Sequence, residues 1–137
     1  MGISVGWDSD VQTTLLFAVS SSWTWEEFYA SIELARQLAD SSELQYIHSI
    51  VDIHEGSMFP QNALLHFRRM PFNASPKLKA GTIVIVGGSF FVKALMDILR
   101  HLNYDVMERF HSVHSLQEAH ALLAKEQATA ESIPSSM

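Results

Sequence analysis

The residues of this chain best placed to do chemistry are Asp52, His54 and Glu55, which close the apolar run Tyr46-Ile-His-Ser-Ile-Val51. Paired carboxylates at the end of a strand can exchange a proton with a substrate, and that edge is where α/β sheets bind ligands. The same residue types also serve as turn acceptors, helix caps and solvated charges. Seven histidines raise metal binding. His111-Ser-Val-His114 has a ligand-like spacing, yet on a strand these two side chains point to opposite faces, because the side-chain period is two. The remaining histidines, 48, 54, 66, 101 and 120, are dispersed. Gly87-Gly88 ahead of a helix pattern suggests a dinucleotide loop, but G-x-G-x-x-G is incomplete, and a tight turn with Ser89 as N-cap accounts for it. No G-x-S-x-G elbow exists. The chain has no cysteine, which removes thiolate chemistry, disulfides and Cys-type zinc sites. These residues predict no catalytic group, no metal and no cofactor, hence a protein that is not an enzyme.

Two other groups of residues point to binding. The loop Gly56-Ser57-Met58-Phe59-Pro60-Gln61-Asn62 places Met58 and Phe59 beside a proline at the entrance of a helix. Apolar side chains on a loop mark partner surfaces, so Ser57, Met58, Phe59, Gln61 and Asn62 form a candidate interaction loop. Mutating Phe59 to a charged residue is the expected way to weaken association through it. The second group is the aromatic set Trp23, Trp25 and Phe28, which could wall a pocket for a small apolar ligand. Its competing reading is core packing, since aromatic rings dominate core energetics.

The chain has 137 residues, 47% apolar and 18% charged, with a formal charge of −6. That is enough chain for one domain with a real core. The nine Lys and Arg are scattered. Nucleic acid and anionic membrane are therefore poor partners. No run reaches the length of a membrane span, and Met1 to Asp8 lacks the features of a secretory signal. The expectation is a cytoplasmic protein.

These groups must be held by elements that the pattern makes visible. Ile3–Trp7 and Thr13–Val19 are strand-like around the polar turn Asp8-Ser-Asp10, which predicts an antiparallel hairpin. Thr24 and Glu27 form a capping box, and Trp23 with Phe28 a hydrophobic staple, opening a helix to about Ala39. Tyr46–Ile53 reads as a buried strand and 63–70 as a short helix broken by Pro71. Thr82–Val86 is a strand that hands over to a helix over 90–100. Val106–Val113 is a final strand, and Ser115 with Glu118 opens a helix to about Lys125. The order is ββαβαβαβα: an α/β fold with a mixed, mostly parallel sheet and an N-terminal antiparallel hairpin. Residues 1–126 form a single domain, and the small, polar stretch 127–137 is expected to be a disordered tail.

The segments Ile50-Val-Asp-Ile53, Asn62-Ala-Leu-Leu-His-Phe67, Ile83-Val-Ile-Val-Gly-Gly88 and Ser115-Leu-Gln-Glu-Ala-His-Ala-Leu-Leu123 resemble the STAS/SpoIIAA-like superfamily. The name stands for sulfate transporter and anti-sigma-factor antagonist. The resemblance covers most of residues 2–126 and rests on element order and hydrophobic pattern. It implies a sheet flanked by helices and a role in protein–protein regulation, with a homodimer or another protein as partner. Signalling members of the family carry a phosphorylatable Ser, usually in an Asp-Ser-Ser-Gly-like motif at the start of the second main helix. Gln61 or Asn62 stands at that place here, and Ser57 lies several residues too early, so the phospho-switch is not expected. Other relatives are small proteins of uncharacterised role, some suspected of binding apolar ligands.

Overall fold

The computed structural model describes residues 2–8, 13–54, 57, 60–63, 65–66, 77, 81–87, 93–98 and 110–132. Its α/β core is a five-stranded mixed sheet: β1 (Ile3–Trp7), β2 (Thr14–Val19), β3 (His48–Ile53), β4 (Ile83–Val86) and β5 (Phe110–Val113), side by side in that order. β1 pairs antiparallel with β2, and all later pairs are parallel. The hairpin and the mostly parallel sheet therefore match the expected class. β3 and β4 at the middle of the sheet have no exposed residue, as apolar, β-branched strands covered on both faces should, whereas among the described residues β1, β2 and β5 each expose one, Ser4, Ala18 and Ser112.

The side-by-side order fixes where the helices go. Parallel strands added in one direction by right-handed crossovers put every crossover on the same face. Helix α1 (Trp25–Asp40) joins β2 to β3. Ala63, Leu65 and His66 are helical between β3 and β4, and residues 93–98 are a helical segment (α2) between β4 and β5. One apolar cluster joins Ile3, Val19, Ile53 and Ile85 to Trp23, Trp25 and Leu95, with Ala63 packed against it. A second cluster seats Ala35 and Ala39 of α1 on Leu15, with Ile47 beside them. The last helix, α3 (Leu116–Ser132), is not a crossover and takes the opposite face. There Ala119 and Leu123 pack on Ile50, Val84 and Val86.

The ends of α1 show how local and distant residues share the work. The Glu27 N–H donates to Thr24 Oγ1 at 3.1 Å, and Glu27 Oε1 accepts the Thr24 N–H at 3.2 Å, so the capping box is complete. The Trp23 and Phe28 rings lie 5.8 Å apart, as a staple requires. Glu27 also accepts the Gly2 N–H, which ties the start of β1 to the start of α1. At the other end α1 has no basic residue in its last turn. Lys77 supplies the cation from a distant segment, donating to the carbonyls of Ala39, at 3.1 Å, and of Ser42.

Glu27 gives the fold a predicted pH dependence. The Gly2 N–H, with help from Thr24, holds its carboxyl below the ordinary value despite some desolvation. A carboxylate lowered on folding stabilises the native state above its unfolded pKa and loses that contribution as pH falls through the folded value. Glu27→Gln is therefore expected to lower the melting temperature at neutral pH, with the gap to wild type closing below about pH 4. Paired melts from pH 7 down to pH 3 check this, and a gap independent of pH contradicts it.

Among the described residues two boundaries differ from expectation by two residues or more. The strand expected over Tyr46–Ile53 begins at His48. The final helix continues through residues 127–132, which the sequence reading gave to the tail. Gln127-Ala-Thr-Ala-Glu-Ser132 contains good helix formers, and Pro134 is the first breaker, so helix propagation wins over the low apolar content. Residues 133–137, Ser89 and the helix expected over 67–70 lie outside the described residues.

Candidate functional site

The C-terminal ends of β2 and β3 bring the two candidate groups together. The chain leaves β2 through Ser20–Thr24 and leaves β3 through His54, whose N–H donates to the Val19 carbonyl at 2.8 Å. Ser57 then turns back: its N–H donates to the His54 carbonyl at 3.0 Å, and its Oγ donates to the Ser20 carbonyl at 2.5 Å. Ser57 is buried. A hydroxyl expected on an interaction loop thus serves to pin that loop to the end of β2.

The aromatic set is the floor on which the loop rests. Trp23 and Trp25 are buried, and their rings meet edge to face at 5.1 Å. Phe28 completes a triangle, 5.5 Å from Trp25. The rings fill the space between one another, which supports packing as their role. Trp25 does more than pack. Its Nε1–H donates to the Gln61 carbonyl at 2.7 Å. Its ring stacks on His66 at 4.4 Å and an angle of 14°. The Tyr29 hydroxyl lies 2.9 Å from His66 Nδ1 and 3.3 Å from the His66 carbonyl. Trp25, Tyr29, His66 and the Gln61 carbonyl therefore form one polar and aromatic knot joining α1 to the second helical segment.

What the knot leaves outside is a rim. Gln61 and Asn62 are exposed, and Leu65 is 43% exposed, one of few large apolar side chains so open among the described residues. Asn62 adopts φ 69°, a left-handed conformation that asparagine tolerates better than most residues. It turns the chain from the loop into the helix at Ala63. Met58 and Phe59 lie outside the described residues.

The other chemical candidates stand apart from this rim. Asp52 is half-buried on β3, on the face that carries α3, opposite Ala18 and Val86 in the register. His54 is exposed beyond the strand end, and Glu55 lies outside the described residues. His111 lies on β5, while His114 lies past its end, where its N–H donates to Glu118 Oε2 at 2.9 Å. Among the described residues no three His, Asp or Glu side chains converge as a metal site would require. Gly87 takes φ 141° at the end of β4, and a Cβ there would lie 2.7 Å from the Ile53 carbonyl oxygen. That glycine is needed for close passage beside β3.

Two histidines that the sequence left as dispersed make specific bonds on the α3 side. His48 Nδ1 accepts the Thr82 N–H at 2.9 Å, and His120 Nε2 lies 2.5 Å from Oδ2 of Asp8, itself 3% exposed. The Asp8–His120 contact anchors α3 to the end of β1. A cavity of about 310 Å³ opens at the N-terminal end of the parallel strands, between Thr13 and residues Glu43–Tyr46, away from the aromatic floor.

No protein-family profile, no curated protein and no solved structure matches the chain.

Proposed function

We propose that this protein is a non-enzymatic interaction module of the STAS/SpoIIAA-like type, lacking the phosphorylatable Ser motif and contacting a protein partner through the rim formed by the loop 57–62 and the helix start at 63–66. The observation that carries this reading is the Trp25–Gln61–His66–Tyr29 knot. It holds the backbone at Gln61 while leaving Gln61, Asn62 and Leu65 exposed. Backbone already held in place loses little entropy on binding, and an exposed apolar side chain near polar amides is a common anchor of protein interfaces. Association of the module with itself and a cytoplasmic setting belong to the same proposal.

Crosslinking from a photoreactive residue at position 61 tests the rim. A discrete adduct is expected in vivo. The captured protein, once purified, is expected to bind the Leu65→Glu variant at least about tenfold more weakly, the loss typical of an interface anchor. Phe59→Glu should act in the same direction. Equal affinity for Leu65→Glu and wild type, with both folded, would remove the rim from the account. The alternative reading, a small apolar ligand beside Trp23, Trp25 and Phe28, requires tryptophan fluorescence to change on titration with lipids or metabolites, and a flat response counts against it.

A further inference from the structure

The outer edge of β1 is one of the two edges of the sheet. Among the described residues β1 is the last strand on its side and pairs with β2 alone. The bonds flanking it fix which groups face outward. Asp8 N–H donates to the Thr14 carbonyl at 2.8 Å, and Ser20 N–H donates to the Gly2 carbonyl at 2.8 Å. Even-numbered residues of β1 therefore bond to β2. In an antiparallel ladder the intervening residues point their N–H and C=O groups the other way, so Ile3, Val5 and Trp7 direct theirs away from the sheet. The same parity holds one strand over, where the carbonyl of Val19 bonds onward toward β3.

Natural sheets protect such edges with charged residues, proline, bulges or a covering element. Ile3-Ser-Val-Gly-Trp7 has no charge and no proline, and it pairs with β2 without a bulge. We propose that this edge is a self-association site, where β1 pairs antiparallel with β1 of a second copy about a two-fold axis at Val5.

Three observations choose a second copy of this chain as the occupant. The strand is self-complementary in this register. Val5 meets Val5 and Ile3 meets Trp7, so every outward N–H and C=O of these residues finds a partner on the other chain. The side chains match as well. Ile3, Val5 and Trp7 all lie on the α1 face, which gives β-branched and aromatic cross-strand pairs, the favourable kind. On the other face Ser4 meets Gly6, where even a Cβ would find nothing within 4 Å. Helix α1 supplies the third observation. Glu27 reaches Gly2, so its flank of the helix overhangs β1. Leu34, two turns further along the same flank, is 43% exposed. Across the two-fold axis the Leu34 side chains of both copies would extend the apolar strip of Val5 and Trp7. The two five-stranded sheets become one continuous sheet, and the rim at the far ends of β2 and β3 stays open. This inference does not depend on what the rim binds.

Because the chain has no cysteine, one introduced thiol reads the register directly. Val5→Cys should form a covalent dimer with oxidised glutathione, since directly opposed Cα atoms stand about 5.5 Å apart, within disulfide reach. Ser4→Cys places its two thiols out of register and should remain single-chain under the same treatment. Equal crosslinking of both, or none for Val5→Cys, overturns the register. Sedimentation provides the second reading. Wild type is expected as a dimer at tens of micromolar. Leu34→Lys, a change on the helix surface, should weaken the dimer at least tenfold with an unchanged circular dichroism spectrum. A wild-type protein sedimenting as a single chain of 15.4 kDa, or an unaltered dimer for Leu34→Lys, overturns the proposal.

Discussion

Trp25→Ala is expected to cost the domain about 3–5 kcal/mol, the usual loss for deleting a large buried aromatic side chain. The expectation follows from position. Trp25 is 9% exposed and belongs to the apolar cluster that unites β1, β2, β3, β4 and α2 with the start of α1. Removing it empties space bordered by Trp23, Phe28 and His66. It also deletes the only described side-chain donor to the Gln61 carbonyl. Trp25→Phe separates the two contributions. It keeps most of the ring and loses the N–H, so it should cost about 1–2 kcal/mol, chiefly through the lost bond. Denaturant unfolding monitored by circular dichroism gives both values. Hydrogen exchange in the rim around residues 61–66 should rise in Trp25→Phe while the sheet stays protected. A Trp25→Ala protein with wild-type stability would show that the aromatic floor does not hold the loop.

Gly81→Ala is the second large effect, on the order of 3 kcal/mol. Gly81 precedes β4, and a Cβ at that position would lie 1.9 Å from the Ile47 carbonyl oxygen and 2.5 Å from its carbon. Those are backbone atoms beside the start of β3, so no side-chain rotation relieves the contact. Either β4 moves away from β3 or the Ile47 peptide shifts. Both weaken the ladder in which Ser49 N–H donates to the Thr82 carbonyl at 2.9 Å. The His48 side chain, which holds the Thr82 N–H, moves with it. A lower denaturation midpoint with an unchanged slope is the expected signature. An unaltered midpoint would mean that the two strands tolerate separation at this point.

The features legible in the sequence are those that neighbours along the chain decide. Thr24 and Glu27 cap α1 because three residues separate them, and Trp23 and Phe28 staple it because five do. At the start of α3 the Glu118 N–H donates to Ser115 Oγ at 3.1 Å, while the Glu118 carboxylate accepts the His114 N–H, one residue ahead of the cap. The β-branched runs became strands, and the first two pair antiparallel as the hairpin pattern requires. The strand order and the assignment of α3 to the opposite face were not legible, because hydrophobic period says that a face is buried and not against what.

The site shows the same division. Trp23, Trp25, Phe28, Ser57 and Gln61 were visible as residue types, yet nothing in the sequence joined the aromatic set to the loop. His66 stands in the sequence only as one dispersed histidine, and nothing there joins it to Tyr29. They meet across 37 residues of sequence, Lys77 meets the end of α1 across 38, and Asp8 meets His120 across 112. Pairings of that range are set by the tertiary fold, and single-sequence patterns carry no trace of them. The end of α3 was misjudged for the opposite reason: local helix propensity continues past the last core residue, Leu123, with no breaker before Pro134.

The proposed module contacts protein, beginning with a copy of itself, and its aromatic cluster serves as packing. Native mass spectrometry of the purified protein tests this most directly. A dimer of twice 15.4 kDa with no added mass is expected. A single chain carrying an extra small mass would contradict this reading and point to a bound ligand.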